Sequence, residues 1–292
     1  MAKTFYPFDT IPVMEAEWSK MAQWWRTNGV LVEGQIMDST SADLAVTKGT
    51  DPQVKVAKGK AWIEGHYFES TATETLTPPS NQGASGNRVD RVTLELDWVK
   101  NKIDLVILPG GTDGQPPTLP NSSAKYYIPL AKVTISNTNT IVSIEDEREP
   151  SIGPGFTIAA KVGRSAAQTI TSGLETSVLF TVKHYDNCNI WNGGYKLTAP
   201  KTGLYLATLC INWQTNTNGS RIHRIRKNGS TVIQEEQFPS GSASFTRTIT
   251  TVTRLSKGDY IEALVLQNSG VNLDIGVLGE SQPSLSLTFL SE

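Results

Sequence analysis

The chain has 292 residues, a formal net charge of −2, 38% hydrophobic and 18% charged residues, 24 glycines and 15 prolines. That mix belongs to a turn-rich β protein and excludes a disordered or mainly helical one. The near-neutral balance gives no electrostatic footprint for a nucleic acid, so no such partner is expected.

The start, Met1-Ala2-Lys3-Thr4-Phe5-Tyr6-Pro7, lacks the apolar run and cleavage site of a secretory signal, and no later stretch is long and apolar enough to span a bilayer. A chain folded in a cytoplasm, without membrane insertion, is expected. Met14, Trp18, Met21 and Trp25 then follow 4-3-4 spacing, the stripe of one amphipathic helix. Pro12 suits its first turn and Asn28-Gly29 its end. The stripe is expected to pack on its own domain; its heptad phase also allows a small threefold contact.

From Gln53 the period changes to two. Val54 and Val56 alternate with lysines, Lys58-Gly59 turns, and Ala61-Trp62-Ile63 resumes. His66 follows in a hairpin, where a structural role is expected. Val92, Leu94, Leu96 and Trp98 alternate with polar residues, Lys100-Asn101 turns, and Ile103, Leu105 and Ile107 return, a ribbon with one buried and one wet face. After the Gly/Pro-rich loop from Pro109 to Pro120 comes a strand through Tyr127-Ile128 and Val133-Thr134-Ile135. The cluster Glu145 to Pro150 and the run Ser151-Ile152-Gly153-Pro154-Gly155 mark a boundary. The expected division is residues 1–150, a linker 151–157, and a second domain 158–292.

The second half is β throughout. Val178, Phe180 and Val182 alternate with Leu179 and Thr181, and Asn192-Gly193-Gly194 turns before Tyr195-Lys196-Leu197. In the strand from Gly203 to Trp213 both the odd positions (Tyr205, Ala207, Leu209, Ile211, Trp213) and the even ones (Leu204, Leu206, Cys210) are largely apolar. A sandwich strand should have one wet face, so a partner subunit is expected to cover the second, with Tyr205, Ala207, Leu209 and Ile211 as interface residues. Asn228-Gly229 sets a type I′ hairpin turn. Later strands run from Tyr260 to Leu266 and through Leu285, Leu287 and Phe289, with Ser284, Ser286 and Thr288 on the other face of the last.

Two family resemblances rest on these residues. The run Ile190-Trp191-Asn192-Gly193-Gly194-Tyr195, the stretch Leu197-Thr198-Ala199-Pro200-Lys201-Thr202-Gly203-Leu204-Tyr205, then Arg226-Lys227-Asn228-Gly229 and Leu255-Ser256-Lys257-Gly258-Asp259-Tyr260-Ile261 resemble, in order, the signature of C1q/TNF-like jelly rolls. Over about residues 156 to 292 this implies a ten-stranded jelly roll and a homotrimer. The first half resembles a domain of tail and baseplate proteins of phages infecting Gram-positive hosts. The matching pieces are Trp24-Trp25-Arg26, Gly59-Lys60-Ala61-Trp62-Ile63-Glu64-Gly65, Arg88-Val89-Asp90-Arg91-Val92 and Tyr127-Ile128-Pro129-Leu130-Ala131-Lys132-Val133. That resemblance implies docking to other tail or baseplate proteins. The fold class expected is therefore mainly β: an N-terminal helix plus β domain, then a C1q/TNF-like jelly-roll sandwich.

Motifs of chemistry are absent. His66, His184 and His223 have no metal-ligand spacing, and Cys188 and Cys210 fit buried thiols better than a zinc or redox pair. No Gly-x-Ser-x-Gly elbow occurs; Gly241-Ser242-Ala243-Ser244 reads as a loop. Nothing in the spacing pairs Asp186, Glu235, Glu236 or Asp274 as glycosidase carboxylates, and Glu235-Glu236 reads as a solvated strand end. No cofactor, metal or catalytic residue is expected. The basic strand Arg221-Ile222-His223-Arg224-Ile225-Arg226 reads as a solvated or interface strand, or as a cationic surface for anionic wall polymers. Trp191 and Trp213 could stack sugars, and the polar loop Gln214–Ser220 suits recognition. The candidate receptor-binding set is Trp213, Gln214, Asn216, Asn218, Arg221, His223 and Arg224. The function expected is a virion tail or baseplate protein whose trimeric head binds a host-surface glycan or wall polymer. The alternatives are a structural adaptor joined to another virion protein, a glycan-degrading tail enzyme, and, least favoured, a secreted cytokine-like ligand.

Overall fold

A computed structural model of the chain describes residues 14–32, 41–111, 113–153, 157–241, 245–276 and 283–292. Met1–Pro7, Pro12, Pro154-Gly155 and Ser242–Ser244, all singled out above, lie outside them. Two compact units form, Met1–Phe156 and Thr157–Glu292.

The first unit opens with helix α1 (Glu15–Ala22). The Glu17 carboxylate accepts the Met14 N–H at 3.0 Å, half of a capping box. The helix stops well before Asn28-Gly29, because residues 23–25 turn and Asn28 is engaged elsewhere. Its side chain donates to Glu64 Oε1 (2.5 Å) and accepts the Glu64 N–H (2.6 Å). Glu64-Gly65 is the positive-φ tip of a hairpin, where a Cβ on Gly65 would meet the Ser19 carbonyl at 2.1 Å. Only glycine lets the helix seat there. His66 Nε2 lies 3.2 Å from Glu15 Oε1, tying the hairpin to the helix, the structural role expected of it.

Ten strands follow: β1 (Gly29–Leu31), β2 (Val46–Lys48), β3 (Val54–Val56), β4 (Gly59–Ile63), β5 (His66–Ser70), β6 (Glu74–Leu76), β7 (Arg88–Asp97), β8 (Lys102–Leu108), β9 (Lys125–Ile135) and β10 (Ile141–Asp146). They make sheets β1-β4-β5, β2-β3-β6 and β10-β9-β7-β8 around one core that includes Val54, Val56, Ile63, Val92, Leu94 and Leu130. The β7–β8 ribbon departs from expectation. Its second face is buried too, because β7 is an inner strand and Tyr127 on β9 lies opposite Glu95. Tyr127 Oη donates to Glu95 at 2.6 Å and Lys125 Nζ at 2.9 Å, and Lys125 also pairs with Asp97 at 3.2 Å, so these two carboxylates are roofed by partners. Residues 151 and 152, read above as the start of a linker, belong to this unit: the Ser151 N–H donates to the Val30 carbonyl, and the Ile152 carbonyl accepts the Thr27 N–H.

The second unit contains β11 (Ala159–Gly163), β12 (Gln168–Ile170), β13 (Thr176–Ser177), β14 (Val182–Asp186), β15 (Lys196–Thr198), β16 (Gly203–Trp213), β17 (Asn216–Lys227), β18 (Thr231–Gly241), β19 (Phe245–Leu255), β20 (Tyr260–Gln267), β21 (Leu273–Ile275) and β22 (Ser284–Ser291), two strands more than the resemblance implied. One antiparallel sheet has β16 between β19 and β22, with β11 and β14 beyond β22; the other runs β13-β20-β17-β18 with β15 also on β20. The long strands alternate between sheets: β16 in the first, β17 and β18 in the second, β19 back in the first, β20 in the second, β22 in the first. That winding is a jelly roll. Its core takes Tyr205, Ala207, Leu209, Ile211 and Trp213 from β16, Ile225 from β17 and Leu285 and Leu287 from β22, all fully buried. Each large apolar side chain in that row contributes roughly 1.5–3 kcal/mol of burial.

Candidate functional site

The head presents two surfaces, the outer faces of its sheets, and one end where β16 passes into β17. On β16 the side chains of period two divide cleanly. The odd row is spent inside the sandwich, so Tyr205, Ala207, Leu209 and Ile211, expected at a subunit interface, cannot touch a partner. The even row, Leu204, Leu206, Thr208 and Cys210, is half-buried and faces outward. Register places Val252 and Thr288 beside Leu206, Thr250 and Ser286 beside Thr208, and Thr248 and Ser284 beside Cys210. Val252 is 55% exposed. Across these rows the face is made of threonine, serine, leucine, valine and cysteine, with Arg254 and Lys161 at its margins. Cys210 is therefore half-exposed on a sheet face, not buried as expected, whereas Cys188 is buried.

The outer face of the other sheet is charged and internally paired. Arg224 bonds Glu175 and Glu235; Arg226 bonds Glu262 at 2.8 Å and reaches Glu175 at 3.8 Å; Lys227 bonds Asp259 at 2.6 Å. Glu235-Glu236 thus lies within β18, not at a solvated end. The other carboxylates weighed for catalysis also have structural partners. Asp186 accepts the N–H groups of Cys188, Ile190 and Trp191, and Asp274 accepts the Thr169 hydroxyl at 2.7 Å.

The receptor-binding set is only partly brought together at the surface. Gln214 is exposed and its Oε1 accepts the Asp274 N–H at 3.0 Å. Asn218 is exposed, and the half-buried Asn216 accepts its N–H at 2.8 Å. The polar loop is shorter than expected, since β17 already begins at Asn216; its register breaks before Ser220, where Gly219 packs at positive φ against Asn268. Trp213, Arg221 and His223 are fully buried and are removed from any recognition surface. The reason lies in strand phase: Ile225 points into the core, so His223 and Arg221, two and four residues before it, must as well. Inside, the Trp213 indole donates to His223 Nε2 at 2.7 Å, and the His223 ring meets Phe238 edge-on at 4.8 Å. Burial first, and then the positive charge of Arg247, holds the His223 pKa down at about 3. Trp191 is half-buried and its indole donates to the Gly194 carbonyl. Sequence reasoning saw that both rows of β16 are apolar but gave the odd row to a partner, and it missed the neighbours on β19 and β22. The alternation of threonine and serine in those strands was the available signal.

No protein-family model matches the chain, and no curated protein does. Solved structures similar in fold include murine APRIL (13% identity, TM-score 0.36, covering 46% of this chain and 100% of that one). The globular domain of zebrafish complement 1qA has 19% identity, a TM-score of 0.32, and coverage of 45% and 95%. The Eiger TNF of S. frugiperda has 13% identity, a TM-score of 0.35, and coverage of 47% and 94%. The C-terminal unit has a jelly-roll fold. Its own strand order carries that conclusion.

Proposed function

We propose that the chain is a phage tail or baseplate protein that binds the host surface through a trimeric C-terminal head. The observation that carries the reading is the outer face of β19-β16-β22, a broad, nearly uncharged surface with half-exposed Leu204, Leu206 and Val252. A second and third copy of the same face cover it best, because threonine and serine rows pack closely without burying unpaired charge. Attachment to other virion proteins falls to the first unit. Of the stripe, Met14, Trp18 and Trp25 are exposed, contrary to the expectation that it packs on its own domain, and Trp24 beside it is exposed too. Trp18 and Trp25 meet edge-to-face at 6.4 Å, a preformed aromatic surface of the sort that anchors interfaces.

Light scattering on the purified protein should give about three times 31.8 kDa. Leu206→Glu, which puts charge at the centre of the face, should yield a monomer with its jelly roll intact; a monomeric wild type would refute the trimer. Replacing Asn216 and Asn218 together should abolish adsorption to host cells while leaving the mass unchanged. Retained adsorption would return the head to an adaptor role, joining another virion protein.

A further inference from the structure

Among the described residues, the buried end of the sandwich holds more positive charge and more hydrogen-bond donors than it holds acceptors. Arg221 is fully buried. Its terminal nitrogens donate to main-chain carbonyls only: Nη1 to Asn218 and Ser220 at 3.0 Å each, Nη2 to Asn216 at 3.4 Å. Among the described residues its Nε–H has no partner. Among the described residues no carboxylate pairs with it, and burial alone lowers its pKa from the usual value. A guanidinium out of water without a counter-charge is costly.

His223 repeats the problem beside it. An indole N–H can only donate, so the bond from Trp213 fixes His223 Nε2 as an acceptor. The proton of the neutral ring then sits on Nδ1, which is also buried and unpartnered. Arg221 and His223 rise from the same face of β17, two residues or about 6.8 Å apart, and both flank one Trp213 ring: the guanidinium carbon is 5.5 Å and the imidazole centroid 6.2 Å from its centre. Arg247 adds further positive charge, lying 5.7 Å from the Phe238 ring that contacts His223. The carboxylate opposite His223 in register is Glu236, half-buried on β18 and bonded to neither group.

We infer that a small monovalent inorganic anion, a halide in size and charge, is bound inside the head between the Nε–H of Arg221 and the Nδ1–H of His223. One spherical acceptor satisfies both donors and neutralises the guanidinium. The Trp213 and Phe238 rings pack against the imidazole, stacked and edge-on, which favours a compact anion over a larger oxyanion. The basic strand thus uses its inward-facing cations to hold an ion, not to meet an anionic polymer.

The test is a crystal structure of the full chain purified and crystallised with sodium bromide in place of chloride. An anomalous bromide peak within contact of Arg221 Nε and His223 Nδ1 is the expected result. An ordered water there, or a Glu236 carboxylate turned in to take both donors, overturns the assignment. In solution, thermal unfolding of the wild type in chloride should rise by about 4 °C for each tenfold increase above the dissociation constant, relative to gluconate at equal ionic strength. Arg221→Met should remove that dependence. A wild type whose midpoint is the same in both salts overturns the proposal whether or not the variant folds.

Discussion

Asp90→Ala is expected to destabilise the first unit by about 3–5 kcal/mol, the cost of stranding a buried cation. Asp90 is fully buried and meets Arg88 through two bonds, 2.7 Å to Nε and 2.8 Å to Nη2. The same carboxylate accepts the Gly110 N–H at 3.0 Å, while Arg88 donates to the carbonyls of Pro79 and Ser80. One ion pair therefore fastens β7 to the segments before and after the ribbon. Removing the acid leaves a guanidinium with carbonyl partners alone and frees the Gly110 loop. Urea unfolding of the full chain should show an earlier first-unit transition and an unmoved head transition. The double replacement Arg88→Met with Asp90→Leu should recover most of the loss, because the desolvation penalty goes with the charges. If the single variant unfolds with wild-type midpoint, the pair is not what holds these loops.

Acid should weaken the head through His223. Its ordinary pKa of 6.5 in the unfolded chain falls to about 3 in the folded one, chiefly through burial and then through Arg247. The neutral ring is thus the form that folding favours. The stability it contributes is complete above pH 6.5 and is lost as pH falls from 6.5 toward 3, by up to about 1.4 kcal/mol per pH unit. The groups facing the ring are Trp213 Nε1, which needs the acceptor on Nε2, Phe238, and the cations Arg221 and Arg247; Glu236 lies across in register. Urea midpoints at pH 7 and pH 4.5 should differ more for the wild type than for His223→Gln, which accepts the indole bond without titrating. The titration belongs in gluconate, since an anion beside Nδ1 favours the protonated ring and flattens the slope. Equal pH sensitivity of the two proteins would show that the acid response comes from elsewhere.

Much of the fold was legible because its signals are local. The motif around Gly203-Leu204-Tyr205 has physical causes: a Cβ on Gly203 would strike the Ser291 carbonyl at 2.3 Å, and the Tyr205 hydroxyl closes on the Lys201 carbonyl at 2.6 Å. Likewise Asp259 accepts the Ser256 N–H, and Gly258 adopts the positive φ that opens β20. Strand phase was harder to read. Both rows of β16 are apolar, so the sequence alone does not say which row the sandwich takes; the bulk of Tyr205 and Trp213 decides it. In β17 two isoleucines three apart cannot share a face. Packing chose Ile225 and carried Arg221 and His223 inward, which is why a strand that looked solvated holds the most desolvated charges of the head. The helix failed differently. Spacing gave its stripe, but the turn after Ala22 and the grip of Glu64 on Asn28 depend on residues far along the chain.

The arginines on the outer face of β17 each have carboxylates within reach: Glu175 and Glu235 for Arg224, Glu175 and Glu262 for Arg226. Paired so closely, the arginine charges are offset, and the small negative balance left by the three carboxylates is screened beyond a Debye length of about 8 Å. Encounters through this face therefore gain no electrostatic acceleration, and their rate constants should be set by diffusion and orientation alone, nearly indifferent to the salinity of the medium.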